Sequence, residues 1–508
     1  MIKMLCLFLL PLAMFAQIID FYGNTENSIN THKFEINSSP LDTPPGWSND
    51  TLLSLNDGLE SIYPRHAIDK RQHIHVVWKD NRRLGGRDEI HYRKYDGSNW
   101  SEIFSVGNLD TVHNSAWVTT DNQNNVHVVF LRWYGAPYTY YDVGYRKFDD
   151  ALGQWEDEVR LTFEDSLGLA ARPKVITDSR NRVFVFWLAE RDSPTRIWFQ
   201  MKDTSGWHEK KEVTKESDLP NGYYGICIAD NDMIHLCWQD YRTATAEIWH
   251  KYLEADTWST GNAVTNNGFT SVYPRMAADS ANNIHLMYGG GTSLAEKIHH
   301  LMWDFTSRTW GSQTHFPSQM GVPHPDIAIH KKTGDRHVTF HEYLGYTCMM
   351  YKKYDAASAQ WLPNVQLTFH QFTLLDPQIA VDTSNYVHLV WWDERFMTGQ
   401  EEILYKTNKI PVPIEETEKK SAECNFLIYP NPFSSHSNIH FSLPFESKVV
   451  LRLYDITGKL TKVICDNRKD AGIHRIDLDC RDLGSGVYFV SFQTEKAKRK
   501  IERLVISK

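Results

Sequence analysis

A tryptophan recurs at near-constant spacing through most of this chain, and no other feature restricts the possible folds as strongly. It stands at Trp47, Trp100, Trp155, Trp207, Trp258, Trp310 and Trp361, at intervals of 53, 55, 52, 51, 52 and 51 residues. Each opens a similar phrase, as in WEDEVRLT at Trp155 and WLPNVQLT at Trp361. Further on comes an apolar stretch ending in Asp: YPRHAID at Asp69, YPRMAAD at Asp279, DPQIAVD at Asp382. Next is the most regular phrase, HIHVVW through Trp78, NVHVVF through Phe130, MIHLCW through Trp238, RHVTFH through His341 and YVHLVW through Trp391. A last segment follows, for example EIHYRKY from Glu89 and EILYK from Glu402. These segments, rich in Val, Ile, Tyr and Trp and bounded by turn residues, read as strands A, B, C and D, with the Trp phrase as D.

Four-stranded units of this length cannot bury their apolar faces singly. Stacked around an axis they make a β-propeller. The chain begins with a lone D strand, Trp47 to Leu55, and the last unit, Asp376 to Asn408, has A, B and C but no D. A ring resolves both ends, because the N-terminal strand completes the seventh blade and hides an open edge. The expectation is an all-β chain with a seven-bladed propeller over residues 47–408. B strands packed on both faces should be continuously apolar, and they are, apart from one histidine. His75, His127, His235, His285, His337 and His388 share that register, with Phe184 in the seventh. Six equivalent histidines are not one catalytic base; they are expected to be satisfied polar groups within the packing.

Residues 1–16 read as a secretory signal, with Lys3, an apolar run from Met4 to Leu12, and Ala16 before a cut at Gln17. Residues 17–46 form an N-terminal extension. Cys6 lies too early for lipid attachment. Cys227, Cys237, Cys348, Cys424, Cys465 and Cys480 remain, too few for a disulfide framework and without metal-ligand spacing. Cys227 and Cys237 could face each other across a hairpin, and Cys465 and Cys480 on neighbouring strands, as bridges or as free thiols. No apolar run after the signal is long enough to span a membrane. A net charge of -9, with 41% hydrophobic and 23% charged residues, marks a globular chain without the basic face that nucleic acid requires.

Residues 409–424, KIPVPIEETEKKSAEC, are a Pro- and charge-rich linker. Beyond it, residues 425–508 alternate polar and apolar positions in short runs, as a small antiparallel sandwich of Ig-like size would. Tyr429-Pro-Asn-Pro-Phe433, Leu453-Tyr-Asp-Ile-Thr-Gly-Lys459 and Gly484-Ser-Gly-Val-Tyr-Phe489 occur in order before a basic closing strand. This region resembles the type A sorting domain of the type IX secretion system. The resemblance implies that secretion machinery reads the tail and delivers the product, through the periplasm, to the surface or beyond it. A flagellar-hook-capping Ig-like domain shares the first two phrases, and an Ig-like spacer is the plainer alternative.

With alternating strand directions, the start of A and the end of B meet on one face. That places Tyr63, Arg65, Asp80 and Arg82 near one rim, with Arg172, Asp240, Arg242, Tyr273, Arg275, Asp393 and Arg395 around it. Arginines there suit an anionic sugar or carboxylate. Because the Asp and Arg pairs recur in three blades, the alternative is that each Asp caps its turn and holds the Arg locally. The ring resembles the sialidase-like superfamily in strand order and blade size. It lacks a Phe-Arg-Ile-Pro segment, since Tyr63-Pro-Arg65 has the Arg after the Pro. It also lacks an intact Asp box, to which Asp96-Gly-Ser-Asn-Trp100 is the nearest approach. Seven-bladed polysaccharide lyases use histidine and tyrosine on the proton beside a uronic carboxylate. His113, Tyr223 and Tyr224 could play such parts, although a second, non-repeated histidine is not evident nearby. The resulting expectation is a secreted binding module for an extracellular glycan or protein, with no metal or cofactor. Its alternative is a carbohydrate-active enzyme, either a sialidase-like hydrolase or a lyase. Non-repeated acidic, Tyr, His and Arg side chains converging in the funnel would mark the enzyme; shallow repeated pockets would mark the binding module.

Overall fold

The structure is a computed structural model. It describes residues 44, 46–55, 59–83, 87–107, 112–133, 141–162, 170–189, 195–215, 217–292, 295–318, 324–344, 346–369, 374–397, 400–409, 426–429, 435–443, 446–470, 472–495 and 500–506. The signal at 1–16 and the linker at 409–424, Lys409 apart, lie outside these residues. The described residues contain strands and turns but no helix. They divide into two compact units, residues 1–410 and 411–508.

The described residues of the first unit form seven separate antiparallel sheets. Their first strands are Ser61–Ile68, Val112–Thr120, Ala170–Thr177, Pro220–Ile228, Thr270–Ala278, Asp326–Ile329 and Leu374–Val381, and the sheets are numbered 1 to 7 in that order. In sheet 1 the order runs Ser61–Ile68, Ile74–Arg83, Arg87–Tyr95, Phe104–Ser105. Sheet 7 takes its outermost strand from the N-terminus: Thr51 lies opposite Tyr405 and Leu52 opposite Leu404. Each first strand packs on that of the next sheet, and the strand of sheet 7 packs on that of sheet 1. The second strands are buried over most of their length, and Val183–Ala189 and Ile234–Asp240 over all of it. Continuous burial is what their unbroken apolar character requires.

One contact joins every sheet to its predecessor. The recurrent Trp sets its ring against the aromatic residue at a fixed position of the preceding sheet's third strand. Trp155 meets Tyr92 at 5.2 Å, Trp207 meets Tyr145 at 4.9 Å, and Trp258 meets Phe199 at 5.8 Å between centroids. Trp310 meets His250 and Trp361 meets His300, while Trp47 meets Tyr351 and Trp100 meets Tyr405. All seven pairs are edge-on, the favoured geometry for aromatic quadrupoles.

The repeated histidines buttress these rings. The Tyr92 hydroxyl lies 2.8 Å from His75 Nδ1, and His75 Nε2 lies 3.3 Å from Asp69. The same Asp, His and Tyr set recurs as Asp121, His127 and Tyr145, and as Asp382, His388 and Tyr405. His337 bonds Tyr351 and Asn385, and His235 and His285 bond His250 and His300 at 3.0 Å. Where Phe184 replaces the histidine, Phe199 replaces the tyrosine, so the polar pair is lost together. Where Ala229 stands in place of Asp, His235 Nε2 is buried without a hydrogen-bond partner. The histidines are thus structural, as their repetition indicates.

The terminal strand is held by charge as well as by its ladder. Asp50 pairs with Arg395, and lies 2.8 Å from the ammonium of Lys406, whose side chain is 1% exposed. Ser54 donates to Glu402.

The second unit consists of a three-stranded sheet and a four-stranded sheet that share one core around Phe441, Leu451 and Phe492. The LYDITGK phrase is a turn in which Asp455 accepts from the amides of Thr457 and Lys459, and Gly458 takes φ +84°. All five described cysteines are free. Cys227 lies opposite His235 and Cys237 opposite Gly225, so those two sit diagonally on their strand pair. Cys465 pairs within the four-stranded sheet while Cys480 bonds Ser435 beside the other. They are therefore not on neighbouring strands, contrary to the expectation from the sequence.

Two outcomes are expected. In a double-mutant cycle, His127→Phe and Tyr145→Phe should each cost about 1–3 kcal/mol by leaving the other group unsatisfied, and together cost less than their sum. Asp50→Ala should cost about 3 kcal/mol by leaving the buried Lys406 ammonium without its carboxylate. Denaturant titration of the full chain measures both.

Candidate functional site

The first strands carry a shared irregularity that builds the site. The ladder between first and second strands shifts register near Tyr63, Ser115, Arg172, Gly222, Tyr273 and Asp376 in six of the seven sheets. At those residues φ is 56°, 45°, 50°, 70°, 57° and 52°. Bulges of this kind re-aim side chains, and a positive φ at a bulky residue costs on the order of 1–2 kcal/mol. Proline follows Tyr63, Arg172, Tyr273 and Asp376, and removes the N–H that the broken ladder would leave without a partner.

The result is two stacked layers, each with one residue per sheet. The outer layer is Tyr63, Ser115, Arg172, Tyr223, Tyr273, His324 and Asp376, all lining a cavity of about 510 Å³. Two positions further along the strands come Arg65, Trp117, Lys174, Gly225, Arg275, Asp326 and Gln378, which line a smaller chamber of about 150 Å³. The strand framework repeats, but apart from the Tyr and Arg shared by sheets 1 and 5 the side chains it presents differ.

In the outer layer the Arg172 guanidinium lies 4.0 Å over the Tyr223 ring. Tyr223 packs edge-on to Tyr273 at 4.4 Å, and Tyr273 lies 3.6 Å from the His324 ring. Burial, then the neighbouring His341, holds His324 well below the usual imidazole range. Burial brings His341 down to about 4, and its Nδ1 is buried without a hydrogen-bond partner. Burial, then Tyr223, pushes the Tyr273 phenol up. At neutral pH the site therefore holds two uncharged imidazoles and a protonated phenol.

In the inner layer Arg65 pairs with Asp376 at 2.5 Å, and Arg275 sits 3.8 Å from both Asp326 and Asp376. Arg65, Lys174 and Arg275 surround the Trp117 ring at 5.1, 4.5 and 5.8 Å. The Lys174 ammonium donates to the Tyr224 carbonyl. Burial, followed by Arg275 and Arg65, pulls Lys174 well below the usual amine range. For Asp376 burial acts upward, yet Arg65 and Arg275 hold it below its ordinary value; for Asp326 burial prevails and the carboxyl is raised.

Of the residues expected at the rim, the structure brings Tyr63, Arg65, Arg172, Tyr224, Tyr273 and Arg275 to this cavity. Tyr224 is a support, buried and donating its hydroxyl to the Arg172 carbonyl at 2.6 Å. The Asp and Arg pairs are spent inside their own sheets. Asp80, Asp240 and Asp393 are fully buried and accept from the indoles of Trp78, Trp238 and Trp391. Arg242 pairs with Asp240 and Asp218 and covers Trp249 at 3.6 Å, and Arg395 pairs with Asp393 and Asp50. A second strand that ends in Trp must satisfy its indole, and the Asp two residues on does so. The side chains of Arg82 and His113 lie outside the described residues. His324, His341, Asp376, Trp117 and Lys174 join the site without having been foreseen. The signal for His324 was present, since HPDIAIH aligns with YPRHAID once His330 is allowed in the place of Asp69.

Residues 427–507 match the family described as the secretion system C-terminal sorting domain. The C-terminal unit is such a domain, and the protein is exported by the type IX secretion system to the cell surface or outside the cell. No curated protein matches the chain. Among solved structures the chain is similar to a protein of unknown function from Dyadobacter fermentans, with 11% identity, 72% of this chain and 99% of that chain covered, and a TM-score of 0.45. It is also similar to a PL25 ulvan lyase bound to a GlcA(1-4)Rha3S saccharide, at 8%, 69%, 91% and 0.48. A third is the Penicillium chrysogenum α-L-arabinanase complexed with arabinobiose, at 13%, 63%, 97% and 0.43.

The bulge is open to a direct test at Ser115, where φ is 45°. Ser115→Val should destabilise by about 1–2 kcal/mol, and Ser115→Gly by much less, in thermal melts of the full chain.

Proposed function

We propose that residues 47–408 form a seven-bladed β-propeller whose last blade is completed by the strand after Trp47. A signal at 1–16 and an extension at 17–46 precede it. Residues 409–424 link it to an Ig-like sorting domain at 425–508. The packing of the seven first strands in a cycle, and the pairing of Thr51 with Tyr405, support this reading.

The funnel is then the site of a carbohydrate-active enzyme that acts on an acidic extracellular glycan. One observation carries this: in a molecule built by repetition, the layer facing the cavity departs from it, and only the Tyr-Pro-Arg of sheets 1 and 5 recurs there. A binding surface made from equivalent pockets would show the opposite. Arg172 suits a carboxylate on the sugar. Unprotonated His324 can take the proton from the carbon beside that carboxylate. Protonated Tyr273 can give one to the oxygen of the departing sugar. The C–H and C–O bonds break and a C=C bond forms, which is elimination. Hydrolysis by a pair of carboxyl groups flanking the bond is less well served, because both carboxylates here, Asp326 and Asp376, face the inner arginines.

The exported protein should release unsaturated uronate ends, read by ultraviolet absorbance, from an acidic polysaccharide and not from neutral ones. Tyr273→Phe and His324→Ala should each lower that rate at least about 100-fold without shifting the melting temperature. Retention of acidic polysaccharide without product would instead assign the binding module expected from the sequence. Neither retention nor product would remove the glycan reading.

A further inference from the structure

The inner chamber has an electrostatic problem that the glycan reading does not resolve. Three cationic side chains, Arg65, Lys174 and Arg275, come from sheets 1, 3 and 5 and so approach it from three directions. Two carboxylates, Asp376 and Asp326, answer them, and Asp376 is taken by Arg65 at 2.5 Å. Arg275 comes no nearer than 3.8 Å to either carboxylate, beyond direct hydrogen-bonding distance. Lys174 is 6% exposed and has no carboxylate partner among the described residues; its bond is to the Tyr224 carbonyl. The Arg65 Nε is buried without a hydrogen-bond partner. Donors that converge in a space of about 150 Å³ with fewer acceptors than they can serve describe a receptor for a compact group with several oxygens.

We propose that this chamber is an oxyanion site that holds a sulfate-like group against Lys174, Arg275 and Arg65. A free sulfate or phosphate ion and a sulfate ester carried by a glycan share this chemistry. The inference rests on the inner layer alone and stands whether or not the outer layer performs elimination.

The test uses the full exported chain and inorganic sulfate, in the absence of any glycan. Thermal melts at matched ionic strength should show a saturable rise of roughly 3 °C with sulfate. Lys174→Met and Arg275→Met should abolish the saturable component, whereas Arg172→Ala, in the outer layer, should keep it. Because a variant could fail to fold, selenate soaked into crystals of the unaltered protein gives a second readout, with an anomalous peak expected between Lys174 and Arg275. A melting curve that rises with salt without saturating, together with an empty chamber, overturns the proposal. With the site established, sulfated and desulfated oligosaccharides separate the two sources. Competition between free sulfate and the sulfated chain assigns the chamber to an ester. Binding of the sulfated chain that is indifferent to sulfate assigns it to the free ion.

Discussion

The arrangement of the first unit depends on a tryptophan pressed edge-on against a ring of the preceding sheet. A four-stranded sheet has two apolar faces and cannot hide either by itself, so its stability comes from its neighbours. The Trp at the outer strand reaches back to the third strand of the sheet before, and the histidine and aspartate behind that strand keep the ring in place. The polar groups gain little net energy from being bonded and lose much from being left alone. That asymmetry accounts for the joint loss of histidine and tyrosine in sheet 3. It also explains why the imidazoles, numerous as they are, do not mark chemistry.

The same framework produces the site by a local departure from regularity. Six of the seven first strands are interrupted by a bulge, and the interruption hands a side chain to the cavity. Evolution of such a molecule can hold the seven sheets constant while varying fourteen positions, seven in each layer. Strain is accepted where function resides, at bulky residues with positive φ followed by proline. Burial then sets the protonation states: imidazoles without charge, a phenol that keeps its proton, and an amine crowded by two guanidinium groups.

Much of this was legible beforehand. Spacing of the tryptophans announced the unit, the lone strand at Trp47 announced its partner at Gln400–Thr407, and three phrases announced the sorting domain. The funnel was half legible. The alternation of strand directions pointed to Arg65, Arg275 and Arg172, because it puts the start of each first strand on one face. His324 and Asp376 were hidden by the same repetition that exposed the fold: their phrases, HPDIAIH and DPQIAVD, differ from the others at the position that faces the cavity. For the Asp and Arg pairs at the ends of the second strands the sequence left two readings open. Proximity to a rim in sequence register does not say whether a carboxylate looks outward or back toward its own indole, and Asp80, Asp240 and Asp393 look back.

The strand that begins at Thr51 and the one it borders are separated by most of the chain; Ser54 and Glu402 alone lie 348 positions apart. A contact so remote cannot form until the final sheet exists, and such pairings slow folding. During synthesis the early segment therefore has no partner until sheet 7 has been made. Joining the ends of residues 47–408 alone and opening them before Asp376 would bring Gln400–Thr407 and Thr51–Leu52 within a short loop of each other in sequence.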